Sequence, residues 1–247
     1  MPARRAGWRS LRYRVLEGVL GAILLAAGVP RAAVATEIAW VWLNSDAPGG
    51  GYAEAALLVE SFVFTAEGFE RQPRTRPLAL PGGMRLTPVI HVEAGPASGT
   101  RFSGRQRAAL RAAFERQLRY STSGWVQLDF EAPARQRAAY VELVRELQAQ
   151  LAGRVRLSAT VLAAWCAQGD WLQTLAADEL VPMLYRLGPA AAVWQARWSG
   201  RDPTLAPRCL GEAVGYALRE APAAGLQLAV PRRYWFNARN WPRVLPR

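Results

Sequence analysis

The chain has 247 residues, with 31 basic side chains, every one an arginine, against 19 acidic ones and a formal net charge of +12. The absence of lysine excludes a Walker-A phosphate loop, a Schiff-base aldolase and a pyridoxal enzyme, each of which needs an amine. One histidine and two cysteines exclude a standard zinc site built from His and Cys.

The first elements in the chain are those of a signal peptide. Arginines fill the first fourteen residues, an apolar run follows from Val15 to Val29, and Ala33-Val34-Ala35 supplies an A-x-A cleavage site before Thr36. The apolar run is shorter than the roughly 20 residues that span a bilayer, although an uncleaved anchor is the alternative. Residues 1–35 are therefore expected to be removed. Residues 36–247 then form one exported domain with 25 arginines against 18 acidic residues. These arginines are scattered rather than gathered in a stripe, so no nucleic-acid partner is expected. An anionic envelope polymer suits the remaining charge better, and no later apolar run is long enough to span a membrane.

Eight strand-like segments follow: Glu37–Asn44, Val59–Phe69, Arg85–Ala94, Gly124–Ala132, Val155–Ala163, Glu179–Gly188, Glu212–Glu220 and Leu226–Trp235. Most are short apolar runs bounded by Gly, Pro or charge, as strands covered by helices are. Between them, Leu110, Phe114 and Leu118 mark a helix over 103–120. Tyr140, Leu143, Val144, Leu147 and Leu151 mark another over 134–151, closed by Gly153. Asp170 is expected as the N-cap of a short helix. Strand and helix alternating to a count of eight predict a small, irregular (β/α)8 TIM-type barrel, with an open doubly wound sheet as the alternative. The links after the first and seventh strands are too short for full helices. In this layout Cys166 follows a strand at one rim and Cys209 precedes a strand at the other, so the two are expected not to pair.

Alternation along a barrel strand sends every second side chain inward. In "GWVQLDFEAP" (Gly124–Pro133), Val126, Leu128 and Phe130 face the helices, and Trp125, Gln127, Asp129 and Glu131 face the interior. Asp129 and Glu131 fall nearest the C-terminal rim, where barrels of this type keep their chemistry. The third strand aligns Thr87, Val89, His91 and Glu93 in the same way, and the second aligns Ser61, Val63, Thr65 and Glu67. Carboxylates clustered in this way raise the pKa of at least one member, which supplies a proton donor beside an ionised partner. Asp129, Glu131 and Glu93 are the candidate catalytic residues. Glu67, His91, Gln127, Trp42, Trp165, Tyr185 and Arg186 are the candidate substrate-binding residues. Ten tryptophans, among them Trp40, Trp194, Trp198 and Trp235 near strand ends or loops, offer faces for sugar rings. Arg186 is placed against an acidic substrate group or the carboxylates. Structural roles compete with these. Glu131 can cap the helix after Pro133, the carboxylates can pair with arginines, and His91 can be a satisfied core residue.

The segments "VQLDFEA", "LSATVLAAWC", "DELVPMLYRLG" and "FNARNW", in this order, resemble an uncharacterised family of exported bacterial proteins, domain of unknown function family 3142. That resemblance spans most of the chain and implies a barrel-like fold without supplying an activity. Locally, "VQLDFE" is similar to the fourth-strand motif D-G-x-D-x-D-x-E of family 18 glycoside hydrolases. On that pattern Glu131 is the proton donor and Asp129 the carboxylate that orients it. Gln127 stands where the pattern has an acid or its amide, and Gly124-Trp125 replaces the leading Asp-Gly.

The expected function is therefore that of an exported barrel acting on carbohydrate, a glycoside hydrolase or a degenerate relative, with Glu131 protonating the leaving oxygen and Asp129 or Glu93 holding the second charge. The alternatives are a non-catalytic envelope protein whose cleft holds a saccharide or peptide, and a purely structural barrel. No cofactor or metal is called for by any motif.

Overall fold

Residues 34–42, 47–95, 97–220, 226 and 228–237 are described by the computed structural model. Apart from Val34 and Ala35, the expected signal peptide lies outside them. In chain order they form β1 (Thr36–Val41), β2 (Glu54–Phe64), β3 (Phe69–Pro73), β4 (Arg85–Ala94), α1 (Gly104–Leu118), β5 (Trp125–Phe130), α2 (Arg137–Leu151), β6 (Arg156–Leu162), β7 (Glu179–Met183), α3 (Ala191–Ser199), α4 (Pro207–Gly211), β8 (Ala213–Ala217) and β9 (Arg232–Asn237). Eight strands pair in parallel in the order β1-β9-β8-β7-β6-β5-β4-β2, and β2 pairs back onto β1, so the barrel closes. That closing pair rules out the open doubly wound sheet. The expected barrel is present, with flanking helices.

Its irregularity has local causes. β1 pairs only with Glu54–Leu57 of β2. Beyond that point β3 folds back antiparallel along Glu60–Phe64, taking the place of the helix a regular barrel would insert before β4. β3 reads FERQP and is largely exposed, so no apolar signal announces it. Val59 is an extra residue in β2, a β-bulge between the Leu58–Val89 and Glu60–Ile90 pairs. One extra residue reverses the facing of everything before it. Ala56 and Leu58 thus join the interior, together with Ser61 and Val63, while Leu57 packs outward.

Two apolar layers result. The outer one packs Val126, Leu128 and Phe130 of β5 against Leu110 and Phe114 of α1 and Tyr140, Leu143 and Leu147 of α2. The helices form where their apolar stripes were predicted. A capping box starts α1: Gln106 N–H donates to Ser103 Oγ at 3.2 Å, and Ser103 N–H donates to Gln106 Oε1 at 2.8 Å. The inner layer is built around Trp40, Leu58, Val89, Val181 and Tyr234. Gly215 makes room for it, because a Cβ there would stand 3.1 Å from the Trp40 ring.

At the N-terminal end of the barrel a buried charge network forms the floor. Arg232 donates to Glu54 at 2.7 Å and pairs with Glu179 at 3.0 Å. Tyr234 donates its hydroxyl to Glu179. Trp125 lies beneath the guanidinium groups of Arg156, 3.9 Å from its ring centroid, and Arg232, at 4.5 Å.

Two expectations fail in the β6–β8 half. Cys166 and Cys209 form a disulfide, with Cα atoms 6.1 Å apart. The reason is that short 3-10 turns over 163–167 and 170–174 replace the helix after β6. This connection packs against the outer layer, and α4 lies along it: Ala206 N–H donates to the Cys166 carbonyl, and Arg208 donates to the carbonyls of Leu175 and Ala177. Asp170 is not an N-cap. It is the first residue of the second 3-10 turn, follows Gly169 in the cap position, and makes no capping bond.

Candidate active site

A cavity of about 620 Å³ opens at the C-terminal end of the barrel, lined by residues that include Trp42, His91, Asp129, Glu131, Tyr185, Arg186, Trp194 and Phe236. Strand alternation puts them there. His91 and Asp129 are register partners across the β4–β5 pair, so their side chains leave the sheet side by side. Glu131 stands one repeat beyond Asp129, past the end of β5.

Asp129 is buried, and both of its oxygens have partners. Oδ1 accepts from Thr160 Oγ1 at 2.6 Å, and Oδ2 lies 2.9 Å from His91 Nδ1. The ring of His91 also meets the edge of Trp42, with centroids 5.4 Å apart. Burial opposes the charge on His91, but the hydrogen bond to Asp129 and the charges of Asp129, Glu131 and Glu93 outweigh it, and its pKa is raised. Glu131 is exposed at the cavity mouth. Its pKa is also raised, first by loss of solvent and then by the Asp129 charge, against the opposing pull of His91 and Arg186. Among the described residues no arginine lies within 4 Å of Asp129, Glu131 or Glu93; arginines pair instead with Glu54, Glu60 and Glu179.

The opposite wall is aromatic and apolar. Tyr185 stacks on Phe236, centroids 5.5 Å apart and planes within 11°, and meets Trp40 edge-on. Arg186 sits in the left-handed backbone region at φ 53, held by its N–H donating to Glu220 Oε2 at 2.6 Å. Its guanidinium lies 5.7 Å from the Phe236 ring. Trp194 of α3 lines the mouth with Arg197 over its ring.

Of the predicted residues, Asp129, Glu131, His91, Trp42, Tyr185 and Arg186 are brought together. Glu93 shares the facing of His91 but is exposed and does not line the cavity. Gln127 lies one layer below, buried, donating to Ser158 Oγ at 3.0 Å. Glu67 is an exposed residue of the β2–β3 turn, whose carbonyl accepts from the Ser103 hydroxyl. Trp165 packs in the outer layer between Tyr140 and Trp171, and Trp198 and Trp235 belong to the same layer. Thr160 was missed, although the same alternation, read along "RLSATVL", places it inward beside Asp129. Phe236 was missed because β9 runs over Arg232–Asn237 rather than ending at Trp235.

No family model, curated protein or solved structure matches the chain. Among the described residues no three His, Cys, Asp or Glu side chains are grouped to hold a metal ion, and no helix is long and apolar enough to cross a membrane.

Proposed function

We propose that this chain is an exported barrel protein acting on carbohydrate, a glycoside hydrolase or a degenerate relative of one, in which Glu131 protonates the leaving oxygen. The observation that carries the reading is the state of Glu131. It is a carboxyl group at the mouth of an aromatic-walled cleft, with no arginine partner among the described residues, and its pKa is pushed upward beside the charge of Asp129. A carboxylic acid that holds its proton above the ordinary carboxylate range, next to a second carboxylate, is the arrangement glycoside hydrolysis needs. Asp129 supplies that fixed negative charge, facing the positive charge that develops on the sugar ring. Trp42, Tyr185, Phe236 and Trp194 offer the apolar faces on which a sugar stacks. The resemblance of "VQLDFE" to the family 18 motif assigns the same roles to Glu131 and Asp129.

One observation favours the second reading, a cleft that holds a saccharide without cleaving it. Both oxygens of Asp129 are engaged, by Thr160 and His91, so Asp129 is not free to act as a nucleophile. Assaying the protein purified from the culture envelope against aryl glycosides and polysaccharides separates the two. The hydrolase reading expects turnover that falls by about 10²-fold or more in Glu131→Gln. Saccharide binding without turnover by either protein establishes the second reading.

A further inference from the structure

The chain has a single histidine, and the barrel places it in the cleft beside the proposed proton donor. Asp129 Oδ1 accepts from Thr160 and Oδ2 faces His91 Nδ1 at 2.9 Å. An ionised carboxylate only accepts, so the proton between them belongs to Nδ1. In the neutral ring the lone pair then sits on Nε2, across the imidazole, and no described residue bonds to it. The ring lines the cavity with about a quarter of its side chain exposed, and Trp42 braces it from the side. A carboxylate that fixes the tautomer and orientation of an imidazole, with the other nitrogen open to a cleft, is the arrangement of a general base.

We propose that His91 is the base of this site, taking a proton at Nε2 from the attacking water, and that Asp129 is its positioning residue. The proposal rests on the hydrolase reading above and changes its chemistry. Water attacks the anomeric carbon directly. One of its protons passes to His91 Nε2, the bond from the anomeric carbon to the leaving oxygen breaks, and the proton of Glu131 passes to that oxygen. One water is consumed. His91 gains the proton that Glu131 has lost, and exchange with solvent restores both. No covalent glycosyl intermediate forms, so the anomeric configuration inverts. The carboxylates facing His91 are Asp129 from β5, Glu131 just past the end of β5 and Glu93 from its own strand, and Arg186 acts on Glu131. The working form, neutral His91 with protonated Glu131, carries the same charge as the form with the proton exchanged between them. The rate is therefore a bell in pH, and both limbs are displaced upward from the ordinary carboxylate and imidazole values.

A single histidine makes the test unambiguous, and its first arm needs no substrate. Nitrogen-15 NMR of the full chain reads one imidazole. The expected result is a neutral form protonated at Nδ1, with a pKa above the free value that falls in Asp129→Asn. Diethyl pyrocarbonate should modify that ring at Nε2. A neutral ring protonated at Nε2, or a ring inert to the reagent, overturns the proposal whatever the protein acts on. The second arm uses any glycan found to be cleaved. His91→Ala should lose about 10²-fold or more in kcat with little change in KM, recover part of it with added imidazole, and the wild-type product should be the inverted anomer. Full activity in His91→Ala, or a retained anomer, sinks the role of His91 while leaving the hydrolase reading intact. Saccharide binding without cleavage sinks the hydrolase reading and the base role together, but leaves the NMR result standing as geometry.

Discussion

Arg232, the first residue of β9, donates to Glu54, the first residue of β2, across 178 residues of chain at 2.7 Å, and both are buried. This ion pair separates the acidic residues of the barrel into two kinds. Glu54 and Glu179 close the floor against a guanidinium, whereas Asp129 and Glu131 at the other end face a cavity with none within pairing distance among the described residues. The arginine-bound carboxylates expected of a structural barrel do exist, but Glu54 and Glu179 lie at the end away from the candidate site, and Glu60 pairs on the outer side of β2 with Arg71 and Arg116.

Removing the floor arginine should be costly. Arg232→Ala leaves Glu179 buried with no counter-charge and Glu54 with only the more distant Arg85, 3.7 Å away, and breaking a buried pair in this way costs about 3–5 kcal/mol. Urea denaturation of the variant should show that loss. Saccharide binding, where the protein remains folded, should be unaltered, since no floor residue lines the cleft.

The Cys166–Cys209 bridge closes a loop of 43 residues. Loop closure of that length is worth about 4 kcal/mol on the chain-entropy model, so the double Cys→Ser variant should unfold at markedly lower denaturant. Mass spectrometry of the untreated protein should find a linked peptide pair. Two free thiols would contradict the packing of α4 against the β6–β7 connection.

Trp194 lines the mouth without belonging to the barrel wall. On the carbohydrate reading proposed above, Trp194→Ala should weaken saccharide binding by about 1 kcal/mol through loss of a stacking face, with some loss of melting temperature because the ring is half-buried against the outer apolar layer. Calorimetric titration with the best-bound saccharide measures it. Unchanged affinity would place the sugar on the Trp42 side of the cleft instead.

The barrel was legible because six of its eight strands are apolar runs near the predicted spans, and the two long helices carry clear apolar stripes. β2 and β9 were the exceptions: the prediction for β2 began at Val59, five residues after the strand starts, where the bulge reverses the facing of the first half, and the prediction for β9 began at Leu226, six residues before the strand starts. β3 was illegible for a different reason, since FERQP is exposed and paired on one edge only. The rim site was legible on β4 and β5, where strict alternation holds through His91, Asp129 and Glu131. It failed at Glu67, which lies past the end of β2 in a turn where alternation no longer applies. Trp165 was misplaced because the chain after β6 enters a 3-10 turn and delivers that ring to the outer layer. The disulfide was misjudged for the same reason: Cys166 was placed at the rim where β6 ends and Cys209 at the rim where β8 begins, whereas the 3-10 turn carries Cys166 into the outer layer beside α4.

The most direct test of Glu131 as a group held for function is a thermal melt of Glu131→Gln beside the wild type at two pH values. A carboxyl whose folded pKa is raised contributes stability that is present below its unfolded pKa, near the ordinary 4.5, and lost as pH rises through the folded value. Replacing it with an uncharged amide removes that loss. The variant should therefore melt with the wild type near pH 4 and at an equal or higher temperature near pH 7. A clear drop in melting temperature at pH 7 would contradict this, and would make Glu131 a structural cap or ion-pair partner rather than the acid of an active site.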